Sequence, residues 1–148
     1  MAFGLSSEGE VVEVICSKDE AVTCDLEQFQ EYLKTLDETI LGLKPDVQPT
    51  RFCLKRTLPY AAAQRVRNQQ LGYKDGDVEV RLGFILEEVR ASLVDIKNPG
   101  AGLEYKKDGD GGASKTLVEK LDAFGIVQEL YTARQSAMKS TPGVSKKS

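Results

Sequence analysis

The chain has 148 residues, 41% of them hydrophobic and 29% charged, with 20 Lys+Arg against 23 Asp+Glu and a formal net charge of −3. That length suits one ordinary domain, and the balance excludes a disordered or fibrous class, while no segment approaches the ~20 apolar residues of a membrane span. The lack of histidine removes Ser-His-Asp and Cys-His chemistry, and with three cysteines, none in a Cys-x-x-Cys pair, a zinc site is not expected.

The opening stretch, MAFGLSSEGEVVEV, has neither a basic region nor a long apolar run, which predicts a cytoplasmic protein with reduced thiols at Cys16, Cys24 and Cys53. Glu10 to Cys16, EVVEVIC, is rich in β-branched residues and predicts a strand. From Asp25 to Leu43 the spacing of Leu26, Phe29, Leu33, Leu36 and Ile40 predicts an amphipathic helix, capped by Asp25 or Thr23 and stopped before Pro45. Thr50 to Arg56 alternates, with Phe52 and Leu54 on one face, and predicts a second strand able to pair with the first.

Pro59 is well placed at a helix start, and the alanine-rich stretch from Tyr60 to Leu71 predicts a short helix ended by Gly72. Asp77 caps a longer predicted helix reaching about Val94, with Val80, Phe84, Ile85, Val89 and Leu93 on one side and Asn98, Pro99 and Gly100 beyond its end. Leu103 to Tyr105 forms a brief extended piece, and Lys106 to Gly112 is loop. Ser114 caps a helix carrying Leu117, Val118 and Leu121, bent or broken near Gly125, and its continuation presents Val127, Leu130, Tyr131 and Met138. The expected architecture is α+β: one helix-dominated domain, residues 1–138, of four to five helices with a small two-stranded β element. A flexible tail is expected at 139–148, where lysine, serine, proline and glycine dominate.

Charge is uneven along the chain. Residues 1–46 carry eleven acids against three lysines, a net of −8, whereas the window from Val47 to Tyr73 holds Arg51, Lys55, Arg56, Arg65 and Arg67 and no acid. Such a window pairs within the chain, is simply solvated, meets an acidic protein partner or meets nucleic acid. Few aromatics and a sequence pI near 5.1 argue against nucleic acid.

Gly109 to Thr116, GDGGASKT, is one residue from a phosphate-binding loop, with Ser114 where the pattern needs glycine before the lysine. The remainder of the chain has no hydrophobic strand ending in Asp to hold magnesium. The same loop nearly fits a calcium site through Asp108, Asp110 and Glu119, but Ala113 occupies the position where glycine makes the sharp turn. A solvated, flexible turn leading into a serine N-cap is the simpler expectation, with glycines that let the last helix move. Neighbouring Glu87 and Glu88 point about 100° apart on a helix and cannot converge on one substrate, so a solvated face is expected of them. Tyr60, Tyr73, Tyr105 and Tyr131 lack a fixed basic companion and suit rim or core positions.

PTRFCLKRTLPYAAAQRV, then VRASLVDIKNPGAGLEYKKDGDGGAS, then LVEKLDAFGIVQELYTA, together covering about Pro49 to Ala133, resemble the tail assembly chaperones of long-tailed bacteriophages. The resemblance implies a non-enzymatic protein without a cofactor, acting in the cytoplasm of the infected host. It would bind the tape-measure protein, and possibly the tail-tube protein, and keep the tape-measure chain soluble while the tube polymerises. It involves neither nucleic acid nor membrane, and homo-oligomers are compatible with it. Such binding calls for apolar grooves between helices that accept an amphipathic helix. The residues put forward are Arg51, Lys55, Arg56, Arg65 and Arg67 of the basic window with Phe84, Val89, Leu130 and Tyr131 of the two long helices. The alternatives are a structural tail or head-tail connector protein that stays in the particle, and a small sequestering or inhibitory protein acting on a host factor or nucleotide.

Overall fold

In the computed structural model, which describes residues 11–71, 78–100 and 103–139 (78–80 by backbone alone), the β element has three strands. β1 (Val11–Val14), β2 (Arg51–Lys55) and β3 (Leu93–Lys97) form an antiparallel sheet in that order. Two-residue periodicity divides it: Val12, Val14, Phe52, Leu54 and Ile96 share the core face, while Glu13, Cys53 and Asp95 stand side by side on the other. On that outer face Lys97 and Arg51 both pair with Glu13, and Arg51 reaches Glu38 at 2.6 Å.

The expected two-stranded element therefore gains a strand, β3, where the long helix was expected to finish. Helix α3 (Val78–Ser92) runs into β3 with no intervening turn. The Ser92 hydroxyl bonds back to the carbonyls of Glu88 and Val89, competing with continuation of the helix, and Val94 and Ile96 favour the extended form. The β2–β3 register slips by one residue between Cys53 and Leu54, leaving Val94 as the extra residue of a bulge. The backbone of this edge strand finds partners within the chain. The Ile96 N–H donates to the Asp95 carboxylate, and the Leu93 carbonyl accepts from the Tyr105 hydroxyl.

Helix α1 (Leu26–Thr35) is shorter than the periodicity predicts. Asp25 caps it, forming a reciprocal capping box with Gln28, and Leu36 ends it in the left-handed conformation at φ 57°. Asp37 then starts a single 3-10 turn, Glu38–Leu41. The buried stripe is Phe29, Tyr32 and Leu33; Leu26, expected on it, lies in the first turn outside the core and is 72% exposed. The Tyr32 hydroxyl accepts from the Ile15 N–H in the interior, and burial pushes its pKa up to about 12.

Helix α2 (Tyr60–Leu71) packs on α3 through Ala62 and Val66. The Gly72 stop and the Asp77 cap lie outside the described residues. Ser114 caps α4 (Lys115–Ala123) by accepting from the Leu117 N–H, and Gly125, at φ 76°, turns the chain into α5 (Ile126–Lys139). Helix α5 is central, touching α1, α3, α4 and β1. Its buried stripe of Ile126, Val127, Leu130, Ala133, Arg134 and Ala137 follows the helical period, and each large apolar side chain buried there contributes roughly 1.5–3 kcal/mol. Helix α5 includes Lys139, and residues 140–148, the rest of the expected tail, lie outside the described residues. Among the described residues no helix is long and apolar enough to cross a membrane. The described residues form a single α+β domain of five α-helices and a small three-stranded antiparallel sheet.

Candidate partner-binding cleft and the polar ties beside it

The glycine-rich loop is a closed hairpin. Asp108 N–H bonds to the Gly112 carbonyl at 2.8 Å and Ser114 N–H to the Lys106 carbonyl at 2.8 Å, with Gly111 at φ 89° in the turn. Arg90 of α3 fills the mouth of this hairpin. Its guanidinium pairs with both oxygens of Asp110 and donates to the Ala113 carbonyl at 3.1 Å, while Asp108 lies at 3.5 Å and Glu87 at 3.8 Å. Those bonds, together with the Gly112 N–H, hold the Asp110 carboxyl well below the usual carboxylate range, and the same partners raise the Arg90 pKa. A Cβ on Gly112 would meet Arg90 Nη1 at 3.0 Å, so a larger residue there would push against the guanidinium.

The sequence expectation of a mobile connector is thus overturned: Arg90 pins the loop to α3. The amides that would cradle a phosphate are also engaged within the chain. Asp108 accepts from the Lys115 N–H, Asp110 from the Gly112 N–H and Ser114 from the Leu117 N–H. The two aspartates of the calcium reading face the Arg90 guanidinium, and among the described residues no three carboxylates or thiolates are placed to hold a metal ion.

Glu87 and Glu88 do diverge, but neither forms a solvated face. Glu87 bridges Arg65 at 3.1 Å and Arg90. Glu88 is buried, pairing with Arg134 of α5 at 2.6 Å and accepting from Gln135. Arg134 Nε and Nη2 donate to the carbonyls of Lys55 and Arg56 at 2.8 and 2.9 Å, so each of its three nitrogens has a partner; burial lowers its pKa against the pull of Glu88.

The structure does not gather the sequence-proposed contact residues into one surface. Arg51 is tied to Glu13 and Glu38, Arg65 to Glu87, and Arg67 to Gln64 of its own helix. Arg56 donates to the Ala137 carbonyl near the end of α5, and Lys55 is half-buried where β2 ends. Phe84, Val89 and Leu130 are withdrawn from any surface, since all three are core residues at 8%, 1% and 0% exposure, and that overturns the contact role expected of them. Tyr131 is half-buried against the same core, where burial raises its pKa.

What lies open instead is a shallow cleft between α3 and α4 of roughly 170 Å³. Gly83 and Leu86 line it from α3, the core residue Val118 forms its floor from α4, and Lys115 and Glu119 stand exposed on the α4 rim with Glu87 and Arg90 on the other. A larger hollow of about 450 Å³ on the opposite flank of α4 is lined by Glu104, Lys106, Thr116 and Lys120, a mixture of both charge signs around a helix end whose amides are already bonded. Sequence reasoning missed Gly83, Leu86, Lys115, Val118 and Glu119. The available signal was a glycine one turn before a leucine on a helix whose opposite side carries the core residues.

Comparison with known proteins finds no matching family model, no matching curated protein and no matching solved structure.

Proposed function

We propose that the protein is a non-enzymatic phage tail morphogenesis protein, an assembly chaperone that binds the tape-measure protein in the host cytoplasm while the tail tube polymerises. The observation that carries this reading is the open cleft between α3 and α4, with Leu86 on its wall and the core residue Val118 at its floor. A groove between two helices, apolar within and charged at the rim, is the form in which a protein accepts an amphipathic helix and releases it again. Of the segments that carry the resemblance, those from Val89 through the clasped hairpin to α4 supply Arg90 and part of the α4 wall of this groove. The tail-tube protein is a second candidate partner.

Co-expression with the long helical protein encoded downstream of a major tail protein gene tests the reading. The expected result is that this partner stays soluble and co-elutes with the chain; a partner that precipitates equally with and without the chain overturns it.

A further inference from the structure

On α3 the cleft is bounded by Gly83, Leu86, Glu87 and Arg90, positions i, i+3, i+4 and i+7 of one helix. Four residues at that spacing form the hole that receives one side chain from a neighbouring helix in coiled-coil packing. On α4 the boundary is Lys115, Val118 and Glu119, again i, i+3 and i+4. The two sets of residues border the same open space of roughly 170 Å³. A Cβ built on Gly83 meets nothing within 4 Å, so the missing side chain of that glycine is what leaves the hole unfilled from its own side.

We infer that this cleft is a single knob socket, and that its occupant is one large aliphatic side chain, leucine, isoleucine or methionine, from a partner helix laid along α3 and α4. The inference rests on the reading of the protein as a binder of a long helical chain, and adds which residues bind and what the bound helix must carry. The rim gives the helix a direction. Lys115 stands at the Arg90 end and Glu119 one turn further along α4, both exposed, whereas Glu87 and Arg90 are committed to Arg65, Asp110 and each other. A matching helix therefore carries an acidic residue beside Lys115 and a basic residue one turn away beside Glu119, flanking the aliphatic knob. Reversing that order places like charges together on both sides.

The test uses the full chain and a dye-labelled synthetic amphipathic peptide of about three heptads, with leucine at the a and d positions and the acid and base placed as above. The peptide is expected to bind by fluorescence anisotropy. Gly83→Met, which fills the socket from within, is expected to weaken binding by about tenfold or more while melting no lower than the parent, whereas Gly83→Ala leaves most of the space and most of the binding. Replacing the central leucine of the peptide by alanine is expected to cost a similar factor, and Lys115→Glu/Glu119→Lys is expected to prefer the peptide with acid and base exchanged. Should Gly83→Met fail to fold, the leucine-to-alanine peptide decides, because it leaves the protein untouched. Equal binding of the leucine and alanine peptides, or no binding of either, overturns the socket. Tape-measure protein that still co-elutes with a folded Gly83→Met chain sinks the socket and leaves the chaperone reading standing. Peptide binding without tape-measure binding does the reverse.

Discussion

Arg56 and Arg134 exchange donors across the junction between β2 and α5. Arg134 on the helix bonds the carbonyls of Lys55 and Arg56 just where the strand ends, and Arg56 returns a bond of 2.7 Å to the Ala137 carbonyl in the last turn of the helix. Each arginine donates to backbone carbonyls near the end of the other's element. The exchange fixes how far α5 lies along the sheet, and Glu88 holds Arg134 in place from the third side.

Removing Glu88 leaves Arg134 buried without its counter-charge. Glu88→Leu is expected to cost about 3–5 kcal/mol in urea unfolding. The double variant Glu88→Leu/Arg134→Met should recover only part of that, because the Lys55 and Arg56 carbonyls then lose their donors. Full recovery in the double variant would show that those backbone bonds contribute nothing.

The Arg90 clasp has a defined acid limit. In the folded state the Asp110 carboxyl is depressed below its ordinary 3.8, so its contribution to stability is present above that value and is lost as pH falls towards the folded value. Asp110→Asn is therefore expected to lower the melting temperature by a constant amount from pH 7 down to about 5, with the gap from the parent closing below about pH 4. A gap that persists unchanged at low pH would contradict the ion pair.

Tyr32 imposes the opposite limit. Its folded pKa, pushed up to about 12 by burial, lies above the ordinary 10.0, so its stabilisation is intact below pH 10 and is lost as pH rises towards 12. Tyr32→Phe should cost about 1–3 kcal/mol at neutral pH by leaving the buried Ile15 N–H without an acceptor, and should flatten the alkaline decline above pH 10 followed by circular dichroism.

Two glycines should respond in opposite directions to alanine. Gly83 sits in α3 with open space around it, so Gly83→Ala is expected to stabilise by about 0.5–1 kcal/mol through helix propensity. Gly125 holds the α4–α5 turn at φ 76°, where an added Cβ costs about 1–2 kcal/mol. Chemical denaturation of the two variants reads both signs, and stabilisation at Gly125 would refute the left-handed turn.

Much of the fold was legible because local patterns report local physics. The Tyr60–Leu71 helix, the Asp25 and Ser114 caps, the break at Gly125 and the β1–β2 pairing all follow from spacing, capping and turn residues. The third strand was hidden because LVDIK continues the apolar series of α3 without a turn residue, and its local preference for the extended form is realised by pairing with β2. The candidate site was less legible, since Phe84, Val89 and Leu130 present the right chemistry for a contact surface and equally the right chemistry for a core.

The sequence alone determined the α+β class, the approximate element order and the absence of a histidine-based site, because composition and periodicity depend on nothing but the chain. Tertiary structure alone decided that GDGG closes around Arg90, that Glu88 is buried rather than solvated, and that an open cleft remains between α3 and α4. Each of these depends on residues 18 to 46 positions apart meeting in space, as Arg90 meets Asp108 and Glu88 meets Arg134, and no short-range pattern encodes such a meeting.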